Sequence, residues 1–477
     1  MEKELICFWL GRAAFAEGAA LLLPALYAYL DGGDFCRPFI AASIAAFWLG
    51  GFLFNYGKKH RRRVSVMESA AIMVLLWPWL AGIGMIPFWS LGQMPPVDAF
   101  LEGMSDVVTA GLPLLPDNAP EVLFLWQSVL MWLGGMNFLI VLVTVLPQVS
   151  GCFGIELSLR NGKAFSPMIG RMESMAHHAS LTYSVLTLLS AGLFLYAGLM
   201  PWEALENAMR CISTGGGAHF IGRGMDAVEA VAMFSMFLAA GNLLLYWRLG
   251  TRRSLGEMLK DSEIKMFLQL VVASGLMVSG HLVYQGYMDS EWGLHEGFFH
   301  MLSFLSTTGI QVAPLWTWPD FDLFLLLLLP LMGGCMGSVT GGMKMIRLLV
   351  LFQLAAAEIR RTLHPRMVTS IQVSGIFVPD KIIGRILSFF ALYMATFFGC
   401  SVLLTLSGRS FSACVGMTLS CLTGVGSAPG LCVPEDFLML PVLLKLACAL
   451  ILLLGRVEIF AVLFLLQAGR LLHARRW

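Results

Sequence analysis

Apolar residues run along this chain in ten stretches, each long enough to cross a bilayer and separated by shorter polar segments. They lie near Leu5 to Leu30, Pro38 to Gly57, Val66 to Trp89, Val122 to Pro147 and Ala179 to Leu199. Five more follow, near Val228 to Leu249, Ile264 to Met288, Phe321 to Leu354, Ile382 to Leu406 and Phe437 to Gln467, the eighth with an interruption. The pattern predicts ten transmembrane helices. Between them, four of the segments on one side hold a further apolar piece of about ten residues, too short to span, that ends in Ser or Thr and Gly.

Composition agrees with the pattern. Of 477 residues, 58% are hydrophobic and 13% charged, and the mean hydropathy is +0.77, which excludes a soluble globular protein. A net charge of +1 excludes the basic balance of a nucleic-acid binder. Ten cysteines lie scattered in apolar runs with no C-x-x-C, as core-filling thiols rather than a disulfide frame or zinc site. The acidic start, Met1 to Leu5, lacks the basic flank of a cleavable signal, so the first stretch is expected to stay as a span.

The cations divide by side. One set of loops and the C-terminus carry Lys58, Lys59, Arg61 to Arg63; Arg160, Lys163, Arg171; Arg248, Arg252, Arg253, Lys260, Lys265; Lys344, Arg347, Arg360, Arg361, Arg366, Lys381, Arg385; and Arg470, Arg475, Arg476. The opposite loops carry Arg37, Arg210, Arg223 and Arg409, together with many acids. Because basic loops stay in the cytoplasm, both termini are expected there.

The four short pieces read Asp98-AFLEGMSDVVTAGL, Glu203-ALENAMRCISTGGG, Glu296-GFFHMLSFLSTTGI and Phe411-SACVGMTLSCLTGVG. With Gly111, Gly215, Gly309 and Gly426 taken as equivalent, they recur about every hundred residues, as span, short dipping helix, span. The implied organisation is an N-terminal two-span hairpin with a basic loop (1–63) and repeats at 64–160, 161–262, 263–378 and 379–477. Extended backbone at membrane depth cannot face lipid, because its polar groups would stay unpaired. Four such segments around one axis would line water and offer carbonyl and hydroxyl oxygens to a monovalent cation. The candidate filter residues are Val108, Thr109, Ala110 and Gly111; Ser213, Thr214 and Gly215; Thr307, Thr308 and Gly309; and Thr423, Gly424, Val425 and Gly426.

A second constellation interrupts the eighth stretch: glycines 333, 334, 337, 341 and 342 with Ser338 and Thr340. Each glycine disfavours a helix interior by roughly 1 kcal/mol relative to alanine, so this segment is expected to unwind. An unwound loop within a span faces a cavity, and Gly337, Ser338, Thr340, Gly341, Gly342 and Lys344 are the candidate gate. A glycine-rich packing face is the alternative; a phosphate loop is excluded, because the residue after Lys344 is Met345. In the last span Lys445 and Arg456 stand 11 residues apart, on one side of a helix. Arg456 is expected to meet the carbonyls of the interrupted loop, whereas Lys445 either snorkels to the surface or faces a partner. The nine histidines form no site, and no nucleophile–base set or metal-protease motif marks an enzyme.

These features resemble the Trk/Ktr/HKT superfamily of potassium uptake proteins, specifically its ten-span TrkH type. The resemblance rests on WLGGMN at Trp132 to Asn137, ISTGGG at Ile212 to Gly217, STTGI at Ser306 to Ile310, GGCMGSVTGGMKMIRLLVLFQ at Gly333 to Gln353, LHP at Leu363 to Pro365 and GRVEIF at Gly455 to Phe460. It implies an all-α polytopic fold with four span–pore-loop–span repeats around one central pore, in a bacterial inner membrane. It implies K+ as the transported ion with no tightly bound cofactor, a filter at the four glycines, a gate at Gly333 to Lys344 and Arg456 against that gate. It further implies a homodimer, surrounded by membrane lipid, that docks on a cytoplasmic TrkA-type ring of nucleotide-binding subunits. Three departures stand out: Val-Thr-Ala-Gly in the first filter, Asn137 in place of a glycine, and TGVG followed by Ser427 and Ala428 in the fourth, which leaves Gly424 and Gly426 as alternatives. The rival readings are a proton- or sodium-coupled symporter of another solute, which needs inversely related broken helices where only one broken span is visible, and a membrane anchor or sensor for a regulator.

Overall fold

The computed structural model describes residues 3–33, 35–58, 66–144, 168–217, 219–252, 256, 260–364, 370–426, 428, 430–457, 459–463 and 465–466. The basic positions Lys59, Arg61 to Arg63, Arg160, Lys163, Arg253, Arg366, Arg470, Arg475 and Arg476, with Pro365, Ser427 and Pro429, lie outside them. An α-helix pairs its own backbone groups, which is what lipid demands. Among the described residues the chain is accordingly helical, apart from one antiparallel hairpin of Gln372–Val373 with Ile376–Phe377.

Helices α1 (Lys3–Ala20), α2 (Leu22–Leu30) and α3 (Cys36–Gly57) make an N-terminal hairpin. Four units of long helix, short helix, extended segment and second helix follow. The first holds α4 (Val66–Ser90), α5 (Pro96–Val107) and α6 (Glu121–Thr144). The second holds α7 (Met168–Tyr196), α8 (Pro201–Ser213), α9 (Asp226–Ala240) and α10 (Leu243–Arg252). The third holds α11 (Ser262–Tyr284), α12 (Ser290–Leu305), α13 (Asp320–Met332) and α14 (Met345–Leu363). The fourth holds α15 (Asp380–Leu404), α16 (Phe411–Thr423), α17 (Pro434–Leu438) and α18 (Val442–Val457).

Local chemistry starts the short helices. Pro96 and Pro201 occupy the first turn of α5 and α8, where a missing N–H costs nothing. Ser410 caps α16 by accepting the Ala413 N–H at 3.2 Å. The second helix of each unit then packs against the short helix of the next: α6 on α8, α9 on α12, α13 on α16, and α18 back on α5. The order is cyclic, so the four short helices are held inside one closed arrangement.

Seven described helical segments are long and apolar enough to cross a membrane. The remaining predicted spans are divided. Phe321 to Leu354 breaks into α13 and α14 around residues 333–344, as the glycines require, and the last stretch begins with the separate turn α17. Val228 to Leu249 also breaks, at Gly241 and Asn242, which corrects the expectation of a single broken span. Asn242 supplies the reason: its side-chain oxygen accepts the Leu244 and Leu245 N–H groups at 3.1 and 3.4 Å and begins α10 as a new helix. Both breaks fall in the second helix of their unit, so they are related in the same sense and not by inversion.

Outward surfaces are apolar. Tyr196, Leu443, Trp48 and Leu188 are among the large side chains left exposed, the distribution expected when the surrounding medium is hydrocarbon rather than water.

Candidate ion pathway

The four short helices end in one way. Thr109, Thr214 and Thr307 have φ of 60°, 56° and 56°, and Gly424 has 69°. For a β-branched residue this conformation costs about 1–2 kcal/mol, so surrounding bonds must hold it. The N–H groups of Ala110 and Thr308 donate back to Ser105 and Ser303 carbonyls at 2.8 Å, and that of Gly215 to the Arg210 carbonyl at 3.2 Å. Two residues beyond each left-handed turn comes a glycine, also at positive φ: Gly111 (63°), Gly216 (43°), Gly309 (74°) and Gly426 (78°).

These glycines touch in a ring. A Cβ on Gly111 would lie 1.8 Å from the Gly215 carbonyl oxygen; on Gly216, 1.9 Å from that of Thr308; on Gly309, 1.8 Å from that of Val425; and on Gly426, 2.8 Å from that of Ala110. Each strand therefore abuts the next, and the fourth abuts the first. The carbonyls of Ala110, Gly215, Thr308 and Val425 belong to this ring, and any side chain at the four glycines would push it apart. In the second unit the residue matching Gly111, Gly309 and Gly426 is Gly216, one position beyond the expected Gly215. In the fourth unit Gly426 occupies the ring and Gly424 makes the turn.

Hydroxyls differ from strand to strand. The Oγ1 atoms of Thr109 and Thr214 are buried without a hydrogen-bond partner. Thr307 Oγ1 accepts the Gly341 N–H at 2.9 Å, and Gly424 has no hydroxyl. Ser213 and Thr423 turn their hydroxyls to carbonyls of their own helices, Arg210 and Leu419. Val108 is buried among apolar side chains.

The 333–344 loop lies directly against this ring, since a Cβ on Gly341 would sit 1.8 Å from the Thr423 carbonyl oxygen. The loop folds round its own lysine. Lys344 Nζ donates to the Thr340 carbonyl, to Thr340 Oγ1 at 3.0 Å, and to the Ser338 carbonyl and Oγ at 3.2 and 3.3 Å. As expected, Arg456 meets a loop carbonyl: its Nη1 donates to Val339 O at 2.7 Å, and its guanidinium lies 3.9 Å from the Phe138 ring centre. Lys344 Nζ lies 5.6 Å from the same ring. A cavity opens beside the loop, lined in part by Phe138, Met336, Thr340, Lys344, Tyr393 and Arg456.

Several further contacts are visible only in the structure. Cys335 N–H donates to the Ala240 carbonyl at 2.8 Å, so the break before Asn242 anchors the loop. Buried Glu263 accepts the Met336 N–H at 2.5 Å. Lys445 does not snorkel; it forms a buried ion pair with Asp98 on α5. Arg210, wholly buried, binds the Gly216 carbonyl. His219 stacks on Phe124 with ring centres 4.1 Å apart. Burial, with Arg210 and Arg223 nearby, pushes its pKa down to about 4, which leaves it neutral at ordinary pH.

A cyclic four-strand ring closed by a re-entrant loop is a specific arrangement, and comparison identifies its relatives. The cation transport protein family TrkH matches residues 271–469. The Trk system potassium uptake protein TrkH of Salmonella typhimurium is 28% identical, covering 95% of this chain and 96% of that one. Over residues 271–469 the chain is similar to the TrkH family of cation transport proteins. The Trk system potassium uptake protein TrkG of Escherichia coli is 26% identical over 90% of each chain. The crystal structure of the potassium transporter TrkH from Vibrio parahaemolyticus superposes with a TM-score of 0.88 at 25% identity, covering 98% of this chain and 99% of that one. The all-α membrane class and the TrkH-type resemblance read from the sequence are thus shown.

Proposed function

We propose that this chain takes up potassium across the bacterial cytoplasmic membrane, selecting the ion at the four-strand ring and gating it at the 333–344 loop. One observation carries the reading: four glycines each abut a neighbouring strand's carbonyl in closed cyclic order. Such a ring offers oxygens to a dehydrated cation from every side. The unpartnered hydroxyls of Thr109 and Thr214 support it, because buried polar atoms without partners are rare unless a ligand satisfies them. The names of the relatives, potassium uptake proteins, supply the ion. A membrane potential provides about 2.3 kcal/mol per charge per 100 mV, enough to accumulate potassium without nucleotide hydrolysis by this chain.

In this reading both termini are cytoplasmic, two copies form a homodimer, and a TrkA-type nucleotide-binding ring controls the loop. The symporter alternative gains little from the second break at Asn242, because the two broken helices are not inverted. The test is rubidium uptake and growth at limiting potassium in cells lacking other uptake systems. Restored growth and potassium-competed rubidium uptake are expected. Absence of both, with the chain present in the membrane alongside its regulator, overturns the proposal.

A further inference from the structure

The ring has one quadrant unlike the others. Arg210 stands in the last turn of α8, with its side chain wholly buried. A cation at the end of a helix that points its negative terminus toward an ion site opposes the ion's own charge, so its presence there needs a structural account. Four hydrogen bonds give one. Nε donates to Glu206 Oε1 at 3.1 Å, Nη1 to the Gly216 carbonyl at 2.8 Å, and Nη2 to the Phe124 carbonyl at 2.9 Å and Gln127 Oε1 at 2.8 Å. Gln127 in turn donates to Glu102 on α5 at 2.5 Å.

One planar fork therefore links the second strand to α6 and, through Gln127, to the first short helix. Its effect falls on the Gly216 carbonyl. An oxygen turned to a guanidinium presents less of its partial charge to an ion on the axis. Gly111, Gly309 and Gly426 hold the corresponding positions in the other three strands, and no arginine stands in the last turn of their short helices.

We infer that Arg210 is a specificity-determining positioning residue: it draws the Gly216 carbonyl aside and fixes the second strand, so that one level of the ring is asymmetric. The ring binds its ion more weakly at that level, and holds its dimensions more rigidly, than a symmetric ring would. The inference rests on the potassium-uptake reading above and names the residue that tunes the same site.

The test compares wild type with the double variant Arg210→Met/Glu206→Gln, in which Glu206 is not left charged without its hydrogen-bonded cation, and with Arg210→Lys, which keeps charge but not the fork. Rubidium uptake is measured for KM, maximal rate and inhibition by sodium. In the double variant, KM for rubidium is expected to fall about threefold or more, and sodium to inhibit at several-fold lower concentration. Arg210→Lys is expected to move both in the same direction by less. Unchanged KM and sodium inhibition in whichever variant reaches the membrane, including a loss of maximal rate alone, overturns the inference. If wild type itself takes up no rubidium, it is the functional proposal that fails.

Discussion

Lys344→Met separates a held loop from a passive one. Methionine keeps most of the stem and removes the ammonium, which has four loop oxygens within reach and three protons to give them. Hydrogen bonds to a charged group contribute about 1.5–3 kcal/mol each. Burying the ammonium costs several kcal/mol and offsets part of that, yet removing one partner of a buried charged cluster typically destabilises by 3–5 kcal/mol. Taking about 3 kcal/mol as the loss to the folded-back loop, and 1.4 kcal/mol per factor of ten, the ratio of released to held loop rises about a hundredfold. Rubidium uptake in cells without the regulatory subunit is expected to rise at least tenfold, up to the point where the released state predominates. The double variant Ser338→Ala/Thr340→Val keeps the charge but removes two of the four oxygens, and is expected to raise flux as well. Uptake at or below wild type in Lys344→Met, at equal protein in the membrane, would refute the tether. A rise in Lys344→Met but not in the double variant would make the ammonium an electrostatic barrier instead.

Gly309→Ala places a methyl 1.8 Å from the Val425 carbonyl at a φ of 74°, and should lower rubidium uptake more than tenfold. Gly280→Ala on α11, with nothing within 4 Å, should leave uptake at wild type. Arg456→Leu removes the bond to Val339 and should raise regulator-independent flux, measured in the same assay. Lys445→Met strands Asp98 in a buried site and should lower the thermal midpoint in detergent by several degrees, consistent with a loss of about 3–5 kcal/mol. Adding Asp98→Asn should recover most of that loss.

Legibility followed the range of the interaction. The ends of the short helices were readable because each is an apolar piece too short to span that stops at a Ser/Thr and Gly segment, a local signal repeated four times. The interruption at 333–344 was readable because five glycines cannot sustain a helix. The break at Gly241 and Asn242 was missed, since a lone glycine and asparagine inside an apolar run carry little weight until Asn242 is seen capping α10 beside Gly337. The register of the second strand was misread by one because Gly215, Gly216 and Gly217 are interchangeable as letters. Only contact with Thr308 distinguishes them.

Hydropathy and glycine density, which are local properties, by themselves determined that this is an all-α membrane protein with four dipping helices and a broken span. The tertiary structure decided the cyclic order of the strands, the glycine of each that enters the ring, and the partners of Arg210, Glu263, Lys445 and Arg456. Those partners lie 83, 73 and 117 residues away for the Arg210–Gln127, Glu263–Met336 and Arg456–Val339 bonds. A buried charge must find an oxygen or counter-ion somewhere, and the sequence states that need. Which group answers it depends on how helices distant in the chain pack around one axis.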